Sequence, residues 1–213
     1  MTAANLSYQK KSMAIDSKKI IELGSSLPIA SNEKGIMAAF GVYVVMNYNE
    51  FYYKLVSNII NMVGDKEAQE VEQKLYDAVL ACGYHTFHGA RTSMHWRDFI
   101  LPMIKTPEDE VHALVAFTNV FGIGYIEVEE LIPGEKLVTT VRNAYDPGRY
   151  LEEYGPQPRG RCYRFNACTA SYMDLVYAPQ YPDGMGTFVS KEVTCRSKGD
   201  SICKFVAELA RPR

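Results

Sequence analysis

The chain lacks most of the features that announce a function. No apolar run approaches the roughly 20 residues of a membrane-spanning helix, so no membrane span is expected. Its charge is almost balanced, 23 basic side chains against 25 acidic ones for a formal net charge of −2. Binding to a phosphate backbone needs a basic surface, so no direct contact with nucleic acid is expected. There is no phosphate-cradling glycine loop, no G-x-S-x-G elbow and no dinucleotide fingerprint. Internal repeats and low-complexity segments are missing too. The opening residues, MTAANLSYQKK, lack the apolar core of a signal peptide, which points to a cytoplasmic protein. Disulfides are rare in that compartment, so metal binding is the first reading for paired cysteines among the five in the chain.

What is present lies mainly near the end. The stretch Lys191 to Phe205, KEVTCRSKGDSICKF, holds Glu192, Cys195 and Cys203 in the pattern E-x2-C-x7-C. The two cysteines stand symmetrically about Gly199, so a hairpin turning on a left-handed glycine would bring both sulfurs to one spot. Zinc and a disulfide both suit that arrangement, and a reducing compartment favours zinc. Glu192 is three residues from Cys195, and an odd offset puts strand side chains on opposite faces. A bulge, or the end of regular pairing, must therefore fall between them if both bind. The fourth ligand is expected from the helix RCYRFNACTASYMDLVYA. Cys168 is preferred because it recurs with Phe165, Tyr172 and Leu175 on the core side; Cys162 is the rival. Lys191, Arg196, Lys198 and Lys204 are close enough in sequence to offset a thiolate-rich site. The alternative is that Cys168 and Cys203 are small core residues and Cys195 lines the turn.

The string FVSKEVTCRSKGDSICKFV, with GIGYIEVEEL, LVTTVRNAYD and the CTASYMDLVYA helix, resembles the 4-vinyl reductase or hydrocarbon-binding domain. It is similar also to the sensor domains of phenol- and xylene-responsive transcription activators. The resemblance covers roughly residues 60 to 208. It implies a structural zinc on Glu192, Cys195, Cys203 and Cys168, an antiparallel sheet with helices against it, a homodimer, and a small hydrophobic or aromatic ligand. It sets Tyr145 where the phenol sensors carry a tryptophan that contacts the ligand hydroxyl. It supplies no counterpart for the family's ligand-binding histidine. The family also implies an alternative, an enzyme reducing a tetrapyrrole vinyl group or hydrolysing aminothiazoline carboxylate. His85, His88, His95, His112, Asp146 and Tyr145 would then be the available acid and base groups.

The remaining signals bound the fold. At 213 residues and 47 per cent hydrophobic, the chain can bury a substantial core. Residues 1–30 read as a loosely attached leader and 31–213 as one domain. In the apolar stretch Gly35 to Val63, helical spacing puts Phe51, Leu55, Ile59 and Met62 on one face, read as core or a homodimer surface, with a ligand-binding wall as the alternative. A helix is expected over Lys66 to Cys82, with Gly83 ending it and Cys82 an inert core thiol. His85, His88 and His95 gather near Trp96, without the i, i+4 spacing of a helical zinc protease. Thr106 caps a helix with Pro107 at its first position, running to about Phe121, with His112 and Asn119 on one stripe. GIGYIEVEEL and KLVTTVRNAYD alternate at period two about Pro133-Gly134, which predicts a hairpin. On its second strand Leu137, Thr139, Val141, Asn143 and Tyr145 share a face. Asn143 and Tyr145 are thus candidates to hydrogen-bond a ligand, with His112 and Trp96 as further candidate ligand contacts. Helices followed by hairpins, without strand-helix-strand repetition, argue α+β.

Overall fold

The computed structural model describes residues 15–26, 30–39 and 42–210. The fold is α+β, with two antiparallel sheets. Helix α1 is Ser17–Ser26; strands β1, Met37–Ala39, and β2, Val42–Val44, form a small hairpin. Helices α2, Asn49–Asn61, α3, Asp65–Thr92, and α4, Pro107–Thr118, follow. Strands β3, Tyr125–Ile132, and β4, Lys136–Arg142, make the first long hairpin. After α5, Tyr145–Tyr154, and α6, Tyr163–Tyr177, the chain closes with β5, Phe188–Thr194, and β6, Cys203–Leu209.

The four long strands lie in the order β3-β4-β6-β5, all antiparallel. Alternation decides which face is buried. Leu137, Thr139 and Val141 of β4 point to the same side as Cys203, Phe205 and Ala207 of β6, and all six are sealed from solvent. α6 and α4 cover that side, with α3 packed on the far flank of α6. The opposite face is charged and open, with cross-strand pairs Lys204 to Glu129, Lys136 to Glu130 and Arg142 to Glu127.

Local rules account for much of this. Thr106 accepts from the Asp109 N–H while the Asp109 side chain accepts from the Thr106 N–H, a complete capping box with Pro107 behind it. α4 ends at Thr118 and tightens into one further turn, Asn119–Phe121. Asn119 then grips both the N–H and C=O of Ile126, tying the helix end to β3.

Two expectations are corrected. α3 does not stop at Gly83 but runs on to Thr92. A Cβ at Gly83 would stand 3.0 Å from Ser171 Oγ and 3.4 Å from Cys168 Sγ, so glycine here serves the close approach of α3 to α6 rather than a helix end. Cys82, in turn, is exposed rather than core. Ile15 and Ile20 belong to the main core cluster and α1 packs on α4, so residues 15–26 are part of the packed body. Residues 1–14 of the expected leader lie outside the described residues.

Candidate metal centre

β5 and β6 pair regularly up to Glu192, opposite Phe205, and the register then shifts between Glu192 and Thr194. This is the bulge that the E-x2-C spacing demands: it lets Glu192 and Cys195 turn to the same side of the sheet. The loop beyond it is held by its own backbone. Cys195 C=O accepts from Lys198 and Asp200, the Cys195 N–H donates to Asp200 Oδ2 at 2.8 Å, and Gly199 takes the left-handed φ of 95°. The Arg196 N–H points at Cys203 Sγ, 3.4 Å away. A backbone donor aimed at sulfur favours a thiolate there.

Into this corner comes the residue just before α6. Cys162 Sγ, a carboxylate oxygen of Glu192 and Cys203 Sγ all lie within 4.8 Å of one another, close enough to be ligands of one ion. Cys195 is buried beside this group and is electrostatically coupled to Cys203 and Glu192. Cys162, Cys195 and Cys203 are each at most 2 per cent exposed. Ser197, fully buried, ties the parts together: its Oγ lies 3.1 Å from Cys195 Sγ and accepts from the Arg161 N–H, while its C=O accepts from Gln157.

At the fourth position the structure groups Cys162, the rival, with Glu192 and Cys203. Cys168, preferred from its core-facing position in the helix, is buried but points to α3 beside Gly83 and is not among the grouped ligands. Cys162 caps the start of α6 with a non-helical backbone and lies against the hairpin, whereas Cys168, inside the helix, faces α3. Gly160 was missed entirely. A Cβ there would overlap the Glu192 carboxylate, so only glycine leaves room for it. The Gly/Pro-rich run before Cys162 was the available signal. It marks a segment that can approach another chain closely.

Burial dominates the electrostatics of the corner. Burial pushes the Glu192 carboxyl up to about 10 and Cys162 up to about 12, and both Cys195 and Cys203 are raised as well. One Glu192 oxygen, Oε1, is buried without any hydrogen-bond partner. Of the expected offsetting cations, Lys198 acts on Glu192, whereas Lys204 is committed to Glu129 on the other face of the sheet.

The candidate ligand contacts do not converge. β4 ends at Arg142, and Asn143 is an exposed residue with φ 56° in the turn that follows. The expected strand face therefore breaks before Asn143 and Tyr145. Tyr145 opens α5 and donates to Glu50 of α2 at 2.8 Å. His112 is half-buried on α4, where burial lowers its pKa. Trp96 is buried and meets Phe117 edge to face. It lines a cavity of about 10 Å³ with Ala90, Ile100 and Phe117, roofed by Ile20 and Leu23 of α1.

No family profile matches the chain, and no curated protein matches it. Among solved structures, the chain is similar to the phenol-responsive sensory domain of the transcription activator PoxR, determined with phenol. The TM-score is 0.69 at 11 per cent identity, over 90 per cent of this chain and 89 per cent of that one. At that identity the likeness establishes a shared fold.

Proposed function

We propose that this chain is a zinc-containing protein of the 4-vinyl reductase type that binds or senses a small apolar or aromatic molecule. The observation that carries the reading is the donor set of the closing hairpin, Cys162, Glu192, Cys195 and Cys203, on a fold shared with a sensory domain solved with phenol. Three thiols and a carboxyl meet in a buried corner, with one carboxylate oxygen unpartnered. Without a cation they must stay protonated; a divalent ion would let them ionise together. Four protein donors complete a tetrahedral shell, the mark of a structural rather than a catalytic zinc. Zinc bound here would supply folding free energy, fastening the β5–β6 hairpin to the start of α6.

The ligand in this reading meets the apolar wall of Trp96, Phe117 and Ile100. A space of about 10 Å³ holds at most one water, so a compound enters as α1 moves aside. The reading includes a homodimer. On α2, Tyr53, Val56 and Ile60 are buried against the body, while Phe51, Leu55, Ile59 and Met62 form a second apolar stripe facing solvent. Its neighbouring charges, Glu50 and Lys54, are taken up by Arg149 and Glu153, so two copies can meet there without like-charge contact.

The test is elemental analysis and native mass spectrometry of protein from unsupplemented cells. The expected result is about one zinc per chain and a retained small apolar compound. Well under one metal per chain, with five free thiols, overturns the metal; failure to retain or bind any small aromatic overturns the ligand class.

A further inference from the structure

The three clustered histidines are not one site. His95 lies beside the Trp96 cavity, whereas His85 and His88 stand one turn apart on α3 and receive a ring from elsewhere. That ring is Tyr181, carried by the segment between α6 and β5. It lies parallel to His88, with centroids 3.6 Å apart and planes within 5°. Tyr84, fully buried, lies near-parallel at 5.4 Å. His85 meets it edge-on, and its Nδ1 shares a hydrogen bond of 3.0 Å with the Tyr181 hydroxyl. The ring thus has two stacking partners and one partner for its hydroxyl, all from a single helix.

Tyr181 is not what holds its own segment in place. The Asp174 carboxylate accepts from the Gly186 and Phe188 N–H groups at 2.8 Å each, and Thr187 Oγ1 donates to Gly184 C=O. Tyr181 itself stays 37 per cent exposed, so the slot opens to solvent. A tyrosine side chain is, chemically, p-cresol on a tether.

We propose that the slot formed by Tyr84, His85 and His88 is a binding site for phenol-type aromatics, and that Tyr181 is its internal occupant. His85 reads the hydroxyl; His88 and Tyr84 supply the ring faces. A free phenol takes the slot when the Tyr181 ring leaves it, with the base of the segment still fastened by Asp174. The site is separate from the metal corner and from the Trp96 cavity, so neither zinc content nor a retained compound decides it.

The experiment titrates the full chain with p-cresol and with toluene, reading the ring resonances of His85 and His88 by NMR. In Tyr181→Ala the tethered competitor is gone, so p-cresol is expected to bind at least tenfold more tightly than to wild type and to shift both histidines. Toluene, lacking the hydroxyl, is expected to bind roughly tenfold more weakly than p-cresol. Adding His85→Phe should bring the two compounds level. Equal p-cresol affinity in wild type and Tyr181→Ala, or binding that moves neither histidine, overturns the proposal. Should Tyr181→Ala fail to fold, Tyr181→Phe decides: it keeps the ring and loses only the hydrogen bond. Tighter p-cresol binding than wild type supports the slot, and unchanged binding refutes it.

Discussion

The two ends of the molecule treat their conspicuous residues in opposite ways. At the closing hairpin, polar and metal-loving groups are driven inside: Cys195 and Cys203 have no exposure at all, and Glu192 is held among them. Near the other end, apolar groups are left outside: Tyr48 is 88 per cent exposed and Met62 84 per cent. Each is the inverse of ordinary burial, and each points to a partner. In the reading proposed above the buried donors hold a cation, because burying ionisable groups is costly unless they are paired. In the same reading the exposed stripe meets a second copy, because contiguous apolar patches are rarely left in water. The small β1–β2 hairpin makes the same point, since two three-residue strands with Tyr43 outward are marginal alone.

The largest expected effect tests which cysteine belongs to the buried corner. Cys162→Ser should lose zinc and destabilise the chain by roughly 5 kcal/mol or more, since metal binding is folding free energy at such sites. Cys168→Ser should keep its zinc and lose only about 1–2 kcal/mol for the buried hydroxyl. Elemental analysis with urea denaturation separates the two, and the reverse pattern would restore Cys168 as the ligand.

Next comes the pH response of the same buried side. Burial raises the Asp174 carboxyl from 3.8 to about 6, against the pull of its backbone donors. The folded chain then holds this proton more tightly than the unfolded chain does. The resulting stability is complete below about pH 4 and is lost as pH rises through 6. Relative to Asp174→Asn, wild type should lose up to about 3 kcal/mol between pH 4 and pH 7 in denaturant titrations. A constant difference between the two proteins would mean that the backbone donors win.

Gly160→Ala should cost about 2 kcal/mol and part of the zinc, because the added Cβ expels the Glu192 carboxylate. Full zinc in this variant would remove Glu192 from the ligand set. The smallest effect on folding belongs to the exposed end. Leu55→Glu should change stability by only about 0.5 kcal/mol, yet convert a dimer to a monomer in sedimentation. A wild type that is already monomeric at micromolar concentration ends the idea of self-pairing through α2.

Several features were determined by the sequence alone, wherever a rule spans only a few residues. The Thr106-Pro107-Asp109 cap, both long hairpins, the bulge after Glu192 and the left-handed Gly199 follow from local backbone and hydrogen-bonding constraints. Only the tertiary structure decided the rest. Whether Cys162 or Cys168 lies against the hairpin depends on how the start of α6 meets β5, about 30 residues downstream; one cysteine caps the helix and the other lies within it. Whether Gly83 ends a helix or admits one depends on Ser171 and Cys168 lying across from it. Asn143 leaves the strand because its φ of 56° turns the chain into α5, where Tyr145 finds Glu50. Local propensity sets which conformations are cheap at a position, but the choice between two cheap ones is made by contacts distant in sequence, whose free energy exists only once the chain has packed.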